Sequence, residues 1–115
     1  MLFSIKRVHI AQYTVNFAKS HQGLLYEALK LKLDIWSGDA LVFFNKEKTG
    51  VKILLADDFG IWVLYKKMSR GRMLQPINFQ QILETKEISY GELALLLEGH
   101  QYDIKAKKKK FSMKC

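Results

Sequence analysis

The chain has 115 residues, of which 49% are apolar and 26% charged, and its formal net charge at pH 7 is +8. This length suits one domain with its own hydrophobic core, and the single cysteine, Cys115, excludes a disulfide framework and a thiolate metal site. No apolar run approaches the roughly 20 residues of a membrane span, and the first ten residues lack the features of a signal peptide. We therefore expect a cytoplasmic protein with no membrane partner.

The positive charge is concentrated in two segments. The last eleven residues contain six lysines and no acid, and without them 19 − 6 = 13 basic residues face 11 acidic ones, a balance of +2. Residues 45–76 hold seven cations and three acids, a local balance of +4. Such patches suit a polyanion such as nucleic acid or an anionic surface, whereas a solubility role is the simpler alternative for the tail. We predict one globular domain over residues 1–104 and a mobile basic tail over 105–115.

The N-terminal third predicts a strand followed by a helix. Residues 3–13 are rich in β-branched and aromatic side chains, as expected for one strand or two short ones. Residues 17–32 carry apolar side chains at helical spacing, with Thr14 or Asn16 available as the N-terminal cap. Gly23 lies inside this helix and suggests a close contact between helix and sheet.

The middle of the chain predicts a three-strand meander. A strand over 40–44 is followed by a polar loop, and two further strands over 51–56 and 61–65 flank the turn at Asp57–Gly60. The 51–56 strand has apolar residues on both faces. We therefore expect this hairpin to be central in the sheet.

The last helix has the clearest local signal. Ser89 and Glu92 have the spacing of a capping box, and Ile88 and Leu93 have the spacing of a hydrophobic staple. Gly99 is a typical C-terminal stop.

These elements predict an α+β fold. A mostly antiparallel sheet of three to five strands, with the meander at its centre, would pack against two helices. A small curled barrel with the helices closing its ends is the alternative.

The sequence offers little for catalysis or for a cofactor. The three histidines, His9, His21 and His100, are scattered and match no metal-binding spacing. Asp57 and Asp58 are adjacent, so they suit a turn better than a paired magnesium site. We expect no enzyme activity, no metal and no cofactor.

The segment YKKMSRGRM, residues 65–73, is the strongest candidate for binding. It carries Lys66, Lys67, Arg70 and Arg72, and Gly71 allows the chain to turn so that both arginines project together. Arginine grips phosphate with two parallel hydrogen bonds. The alternative is a solvated strand end whose cations protect a sheet edge from aggregation.

Most of the chain, from about residue 8 to 104, resembles the second-reading-frame accessory protein of bacterial insertion sequence 66 type transposons. This protein is often labelled TnpB and is unrelated to the RNA-guided nuclease of the same label. The resemblance is carried, in order, by SGDALVFFNK, by VKILLADDFGIWVLYKKMSRGRM with Pro76, and by ISYGELALLLEG.

The resemblance implies a non-catalytic helper in DNA transposition, with transposon DNA, non-specific DNA, the transposase or another element-encoded helper as its partner. It adds Lys52 to the candidate residues, since the family has a Lys-Ile-Leu strand there. The predicted nucleic-acid-binding residues are Lys52, Lys66, Lys67, Arg70, Arg72, Lys107, Lys108, Lys109 and Lys110.

One departure from the family pattern affects the first helix. Family members usually have Asp-Met-Arg-Lys-Gly where this chain has Asn16 to Ser20, so only Lys19 remains of the basic pair. Gln75 also replaces a common aromatic residue before Pro76. A protein-interaction module and a small RNA-binding regulatory protein stay open as alternatives, and so does the oligomeric state.

Overall fold

The computed structural model describes residues 5–71 and 81–98, which form one sheet with a helix on each face. The strand order is β4-β3-β2-β1-β5. The elements are β1 (Arg7–Ala11), α1 (His21–Lys30), a 3-10 turn (Ile35–Ser37), β2 (Asp39–Phe44), β3 (Gly50–Ala56), β4 (Ile61–Lys67), β5 (Thr85–Ile88) and α2 (Tyr90–Glu98).

The predicted α+β class is confirmed. The pairs β2–β3, β3–β4 and β1–β5 are antiparallel, and only β1–β2 is parallel. The parallel pair follows from α1, which carries the chain back between the two strands as a crossover connection. The order is linear, with β4 and β5 at its ends, so the described residues form an open sheet and not a barrel.

The two faces of the sheet bury separate cores. On the α2 face, Val51, Ile53 and Leu55 of β3 pack with the buried Leu96 of α2. On the α1 face, Leu54 of β3 packs with Leu24 of α1 and with other residues of β2 and α1. Strand β3 alternates between the two cores, as the period of two in its sequence predicts.

The hairpin forms where it was predicted, but only one of its strands is central. The Asp57 carboxylate accepts hydrogen bonds from the backbone N–H groups of Phe59 and Gly60 at 2.8 and 2.9 Å, which confirms the turn. Strand β3 is buried, whereas β4 is an edge strand that is exposed over most of its length. The prediction that the whole hairpin is central was wrong for β4, because apolar residues on both faces occur in an edge strand as well.

Helix α2 begins as its sequence predicts. The Ser89 hydroxyl accepts from the Glu92 N–H at 3.1 Å, and the Glu92 carboxylate accepts from the Ser89 N–H at 2.9 Å, which completes the capping box. Ile88 and Leu93 lie in the same core, as the staple requires. The predicted stop at Gly99 lies outside the described residues.

Helix α1 begins later than its periodicity suggests. Its N-cap is Ser20, which makes no side-chain capping bond, and Asn16 instead accepts from the Ala18 N–H at 2.8 Å in the preceding turn. A Cβ added at Gly23 would meet the side chain of Lys19 at 3.1 Å, so the close contact there is with this turn and not with the sheet. The apolar spacing from residue 17 onward therefore belongs partly to an irregular segment.

Candidate nucleic-acid interface

The C-terminal ends of β1, β2 and β4 lie at the same end of the sheet. β1 and β2 are parallel, and β4 runs the same way as β2 because each is antiparallel to β3. Residues 14–20 after β1, 45–49 after β2, and 65–71, which comprise the last three residues of β4 and the bend beyond it, therefore meet at one end of the sheet. Two contacts show this: the Val15 N–H donates to the Phe44 carbonyl at 3.0 Å, and the Met68 N–H donates to the Thr49 carbonyl at 2.7 Å.

We call these three segments the basic end. Their charged residues are six cations and one acid, namely Lys19, Lys46, Glu47, Lys48, Lys66, Lys67 and Arg70. All except Lys19 are exposed. Lys19 is half-buried, and its ammonium lies 3.6 Å from the Glu27 carboxylate. The topology thus gathers cations that are distant in the sequence.

The two predicted lysines of the strand end lie on opposite faces. In register, Lys66 pairs with Val51 and Lys67 with Gly50, and Val51 belongs to the core of the α2 face. Lys66 therefore projects to the α2 face and Lys67 to the α1 face. The Lys66 ammonium donates to the Leu97 carbonyl in the last turn of α2, where the negative end of the helix dipole favours a cation.

Arg70 lies on an exposed bend beyond β4. Gly71, next to it, has a φ of 69°, so the turn that the sequence predicts is made by a residue that adopts this left-handed conformation without strain. Arg72 follows outside the described residues, and so do Lys107, Lys108, Lys109 and Lys110. Their predicted roles remain predictions.

Lys52 differs from the other predicted residues because it is buried, with a relative exposure of 7%. Its ammonium donates to the carbonyls of Phe17 and Lys19, both at 2.8 Å. It also lies 5.0 Å from the ring centre of Phe17 and 5.1 Å from that of Tyr65. Burial lowers its pKa below the ordinary value. These contacts engage the charge inside the protein and hold the segment before α1 against the end of the sheet.

Gly50 allows this arrangement. A Cβ at this position would lie 2.9 Å from Cε1 of Tyr65 and 3.3 Å from the backbone carbonyl of Lys66. Only glycine leaves room for the Tyr65 ring to approach β3 this closely.

An open cleft of about 510 Å³ lies at the basic end, between the segment after β1 and the loop after β2. Its lining residues are Thr14, Val15, Asn16, Phe17, Ala18, Asn45, Lys46 and Glu47. On the loop side, the Asn45 side chain accepts hydrogen bonds from the N–H groups of Thr49 and Gly50 at 2.9 and 3.2 Å, which close the loop between β2 and β3.

The sequence model of the IS66 Orf2-like protein family matches residues 6–108, which include every described strand and both helices. The chain belongs to this family. It is therefore an accessory protein of an insertion sequence, and the family is not a known catalytic one. No curated protein and no solved structure gives a significant match.

Within this IS66 Orf2-like protein, Asn16, Phe17 and Ala18 form one wall of the cleft. Lys52 holds the same segment through the carbonyls of Phe17 and Lys19. The departure from the family pattern that the sequence suggests between Asn16 and Ser20 stays a prediction.

The opposite end of the sheet carries acids. Asp39 is buried, and one of its oxygens accepts from Arg7 at 2.8 Å and lies 3.2 Å from Nε2 of His9. Its other oxygen accepts from the Asp34 N–H at 2.9 Å. Burial alone would raise the pKa of Asp39, but the hydrogen bonds from Arg7, Asp34 and His9 outweigh it and lower that pKa.

Asp57 also has a structural role at this end. Its carboxylate accepts from the indole N–H of Trp62 at 2.9 Å, and this bond is the main reason that the pKa of Asp57 is lowered. Residues 5–71 and 81–98 hold no group of three or more potential metal ligands. None of their helices is long and apolar enough to cross a membrane.

The prediction from sequence included Lys66, Lys67 and Arg70 but not Lys19, Lys46 or Lys48 as binding residues. Lys19 follows β1, and Lys46 and Lys48 follow β2. Only the directions of β1, β2 and β4 bring them beside residues 65–71. The local charge excess over residues 45–76 already pointed to Lys46 and Lys48. It could not point to Lys19, because only the parallel pairing of β1 with β2 brings the segment after β1 to this end of the sheet.

Proposed function

We propose that this protein is a non-catalytic accessory factor of transposition in the bacterial cytoplasm, and that it contacts DNA through the basic end. The observation that carries the proposal is the convergence of three strand ends. It places the exposed cations Lys46, Lys48, Lys66, Lys67 and Arg70 at one end of the sheet, where Glu47 is the single acid of the three segments. A patch of this kind attracts the phosphate backbone and makes binding dependent on salt.

The end of α2 lies beside the basic end. The helix ends at Glu98, one residue after the carbonyl that Lys66 contacts, and Glu98 is the last described residue. We propose that the lysines at 107–110 add sequence-independent affinity, while the cations on the sheet set the orientation.

The catalytic step of transposition belongs to another protein in this proposal. Asp57 and Asp58 are turn residues, and the Asp57 oxygens are occupied by the hydrogen bonds of the turn and of Trp62. The transposase and the transposon DNA are the proposed partners, and the DNA is the one that the charge distribution favours.

The test compares two triple variants that lose the same charge. Lys46→Gln, Lys48→Gln and Lys67→Gln remove cations of the basic end, whereas Lys6→Gln, Lys32→Gln and Lys86→Gln remove exposed cations elsewhere. Binding to a random-sequence DNA duplex is measured by fluorescence anisotropy at several salt concentrations. We expect the first variant to bind at least about tenfold more weakly, with a salt slope flatter by up to about 2.7, which is roughly 0.9 per lost phosphate contact.

Equal affinity of the two variants would show that only net charge matters and would reject the basic end as an interface. Absence of binding by the wild-type protein would favour the protein-interaction alternative. The same titration with single-stranded RNA tests the RNA-binding alternative, since tighter binding to RNA than to duplex DNA would contradict the proposal.

A further inference from the structure

Strand β4 has one hydrogen-bonding edge that no described residue covers. Two bonds fix which backbone groups face β3: Asp57 N–H to the Gly60 carbonyl at 3.0 Å, and Met68 N–H to the Thr49 carbonyl at 2.7 Å. Because hydrogen-bonded and non-hydrogen-bonded pairs alternate along an antiparallel ladder, the even-numbered residues of β4 bond to β3. The N–H and carbonyl groups that point away from the sheet are those of Ile61, Val63, Tyr65 and Lys67.

The side chains of this edge are largely apolar in the middle. On the α2 face, Trp62 and Leu64 are 41% and 43% exposed. Leu64 also lines a groove of about 210 Å³ between β4 and the end of α2. Proteins usually protect exposed edge strands with charges, prolines or bulges. Here the middle of β4 has none of these, and its charges lie at the two ends.

The charges at the two ends of β4 have opposite signs. The strand begins after Asp57 and Asp58 and ends with Lys66, Lys67 and Arg70. A parallel copy of the strand would place acids beside acids and cations beside cations. An antiparallel copy would place the acidic turn of each strand beside the cations of the other, so the charge pattern is complementary to itself in one direction only.

We propose that β4 pairs with β4 of a second copy of this chain, in antiparallel direction and centred on Leu64. This register is the one that engages all four outward-facing residues, because Ile61 then lies opposite Lys67 of the second copy and Val63 opposite Tyr65. Each of these pairs exchanges two backbone hydrogen bonds. The two Leu64 side chains meet on the two-fold axis as a non-hydrogen-bonded pair.

The flanking side chains also match in this register. Trp62 lies opposite Lys66 of the second copy on the α2 face, where the methylene stem of the lysine can pack against the indole ring. If the same register continues beyond the strand ends, Asp58 of one copy lies opposite Arg70 of the second copy. The result is a closed, two-fold symmetric dimer with one continuous sheet, and it does not depend on the proposed contact with DNA.

The pairing of single strands limits the strength of the dimer. Two seven-residue strands bury less than the roughly 1,200 to 2,000 Å² of a standard interface. We therefore expect a dissociation constant of about 1 to 100 μM. Sedimentation equilibrium from about 1 to 500 μM should show a reversible monomer–dimer equilibrium in this range.

Disulfide formation tests the register. In a Cys115→Ser background, Leu64→Cys places two sulfurs on the two-fold axis, where the Cα atoms of a non-hydrogen-bonded pair lie about 4.5 Å apart, within reach of a disulfide. Leu95→Cys is the matched control, since Leu95 is 41% exposed on α2. We expect the Leu64→Cys variant to form covalent dimers at least about tenfold faster under mild oxidation. Equal rates for the two variants would overturn the proposed register.

A charge exchange tests the direction of pairing without altering the apolar residues. Asp58→Lys and Arg70→Asp should each weaken the dimer about tenfold, and the protein carrying both changes should recover to within about threefold of wild type. Asp58 and Arg70 lie beyond opposite ends of β4, so such recovery requires a second copy. Additive weakening in the double variant, or a wild-type protein that stays monomeric at about 500 μM, would overturn the proposal.

Discussion

The two ends of the sheet use charge in different ways. At the acidic end, Asp39 and Asp57 are held by hydrogen bonds from side chains and backbone. At the basic end, Lys46, Lys48, Lys67 and Arg70 are exposed and make no ion pair within residues 5–71 and 81–98. A charge that is engaged inside the fold stabilises it, whereas an exposed charge remains available to a partner. The comparison predicts which substitutions change stability and which change binding.

The largest effect on stability is expected at Asp39. Asp39→Ala leaves the buried His9 ring without its carboxylate partner and removes a bond from the Asp34 N–H, so we expect a loss of about 2–3 kcal/mol in the free energy of unfolding. Asp58→Ala at the same end should change it by less than about 0.5 kcal/mol, because Asp58 is exposed. Urea denaturation of both variants measures the difference. Similar losses would show that the acidic end is not held by Asp39.

The loss of folding stability at low pH should depend on Asp39 and on Glu27. Burial would raise the pKa of Glu27, but hydrogen bonds from Tyr13 and Lys30 and the charges of Lys30 and Lys19 lower it. Both carboxyl groups thus have a lower pKa in the folded state than in the unfolded state, where the ordinary values are 3.8 for Asp and 4.5 for Glu. The unfolded chain then binds more protons, so stability is full above about pH 5 and falls as the pH drops below these values.

Asp39→Asn should reduce this loss of stability at low pH. The variant is less stable at pH 7, but it should lose less additional stability between pH 5 and pH 3 than the wild-type protein. Denaturant titrations at several pH values provide the measurement. Parallel curves for the two proteins would show that Asp39 does not titrate with folding.

Lys52 and Lys67 should give opposite results in stability and in binding. Lys52→Met removes the donor to the Phe17 and Lys19 carbonyls, so we expect a loss of about 1–2 kcal/mol in stability and DNA affinity within about twofold of wild type. Lys67→Met should change stability by less than about 0.5 kcal/mol and weaken DNA binding several-fold. A large loss of DNA affinity in folded Lys52→Met protein would return Lys52 to the interface.

The smallest effect concerns the start of α2. Ser89→Ala removes the acceptor for the Glu92 N–H and should cost about 1 kcal/mol. Ser69→Ala, an exposed serine of the basic end, is the matched control and should be neutral. Thermal unfolding of both proteins would test the cap, and equal melting temperatures would contradict it.

Local signals predicted the parts of the fold that depend on near neighbours. The capping box, the Asp57 turn and the alternation of β3 are all set within a few residues, and the sequence showed each of them. The position of β4 at the edge was not predictable in this way, because its pattern of apolar residues also fits a central strand. The start of α1 was missed since Phe17 faces Lys52 and Tyr65 and so imitates the first turn of an amphipathic helix.

Only part of the candidate site could be predicted from the sequence, for a similar reason. The sequence showed the cluster of Lys66, Lys67 and Arg70 because these residues lie within five positions of one another. The burial of Lys52 depends on carbonyls 33 and 35 residues away. The position of Lys46 and Lys48 depends on strand direction, which no local pattern of charge records.

The pairing of β5 has a consequence for the order of folding. β5 hydrogen-bonds to β1 alone among the described strands, with Ala11 opposite Thr85 and Val8 opposite Ile88. During synthesis, β1 is the first strand to leave the ribosome. One of its edges has no strand to pair with until β5 has been made, more than 70 residues later. The β2–β3–β4 meander contains only local pairings and can form early, whereas the β1–β5 ladder closes a long loop. A stalled or truncated chain would therefore expose the edge of β1 together with the apolar face that α2 covers, which makes incomplete chains prone to aggregation and to proteolysis.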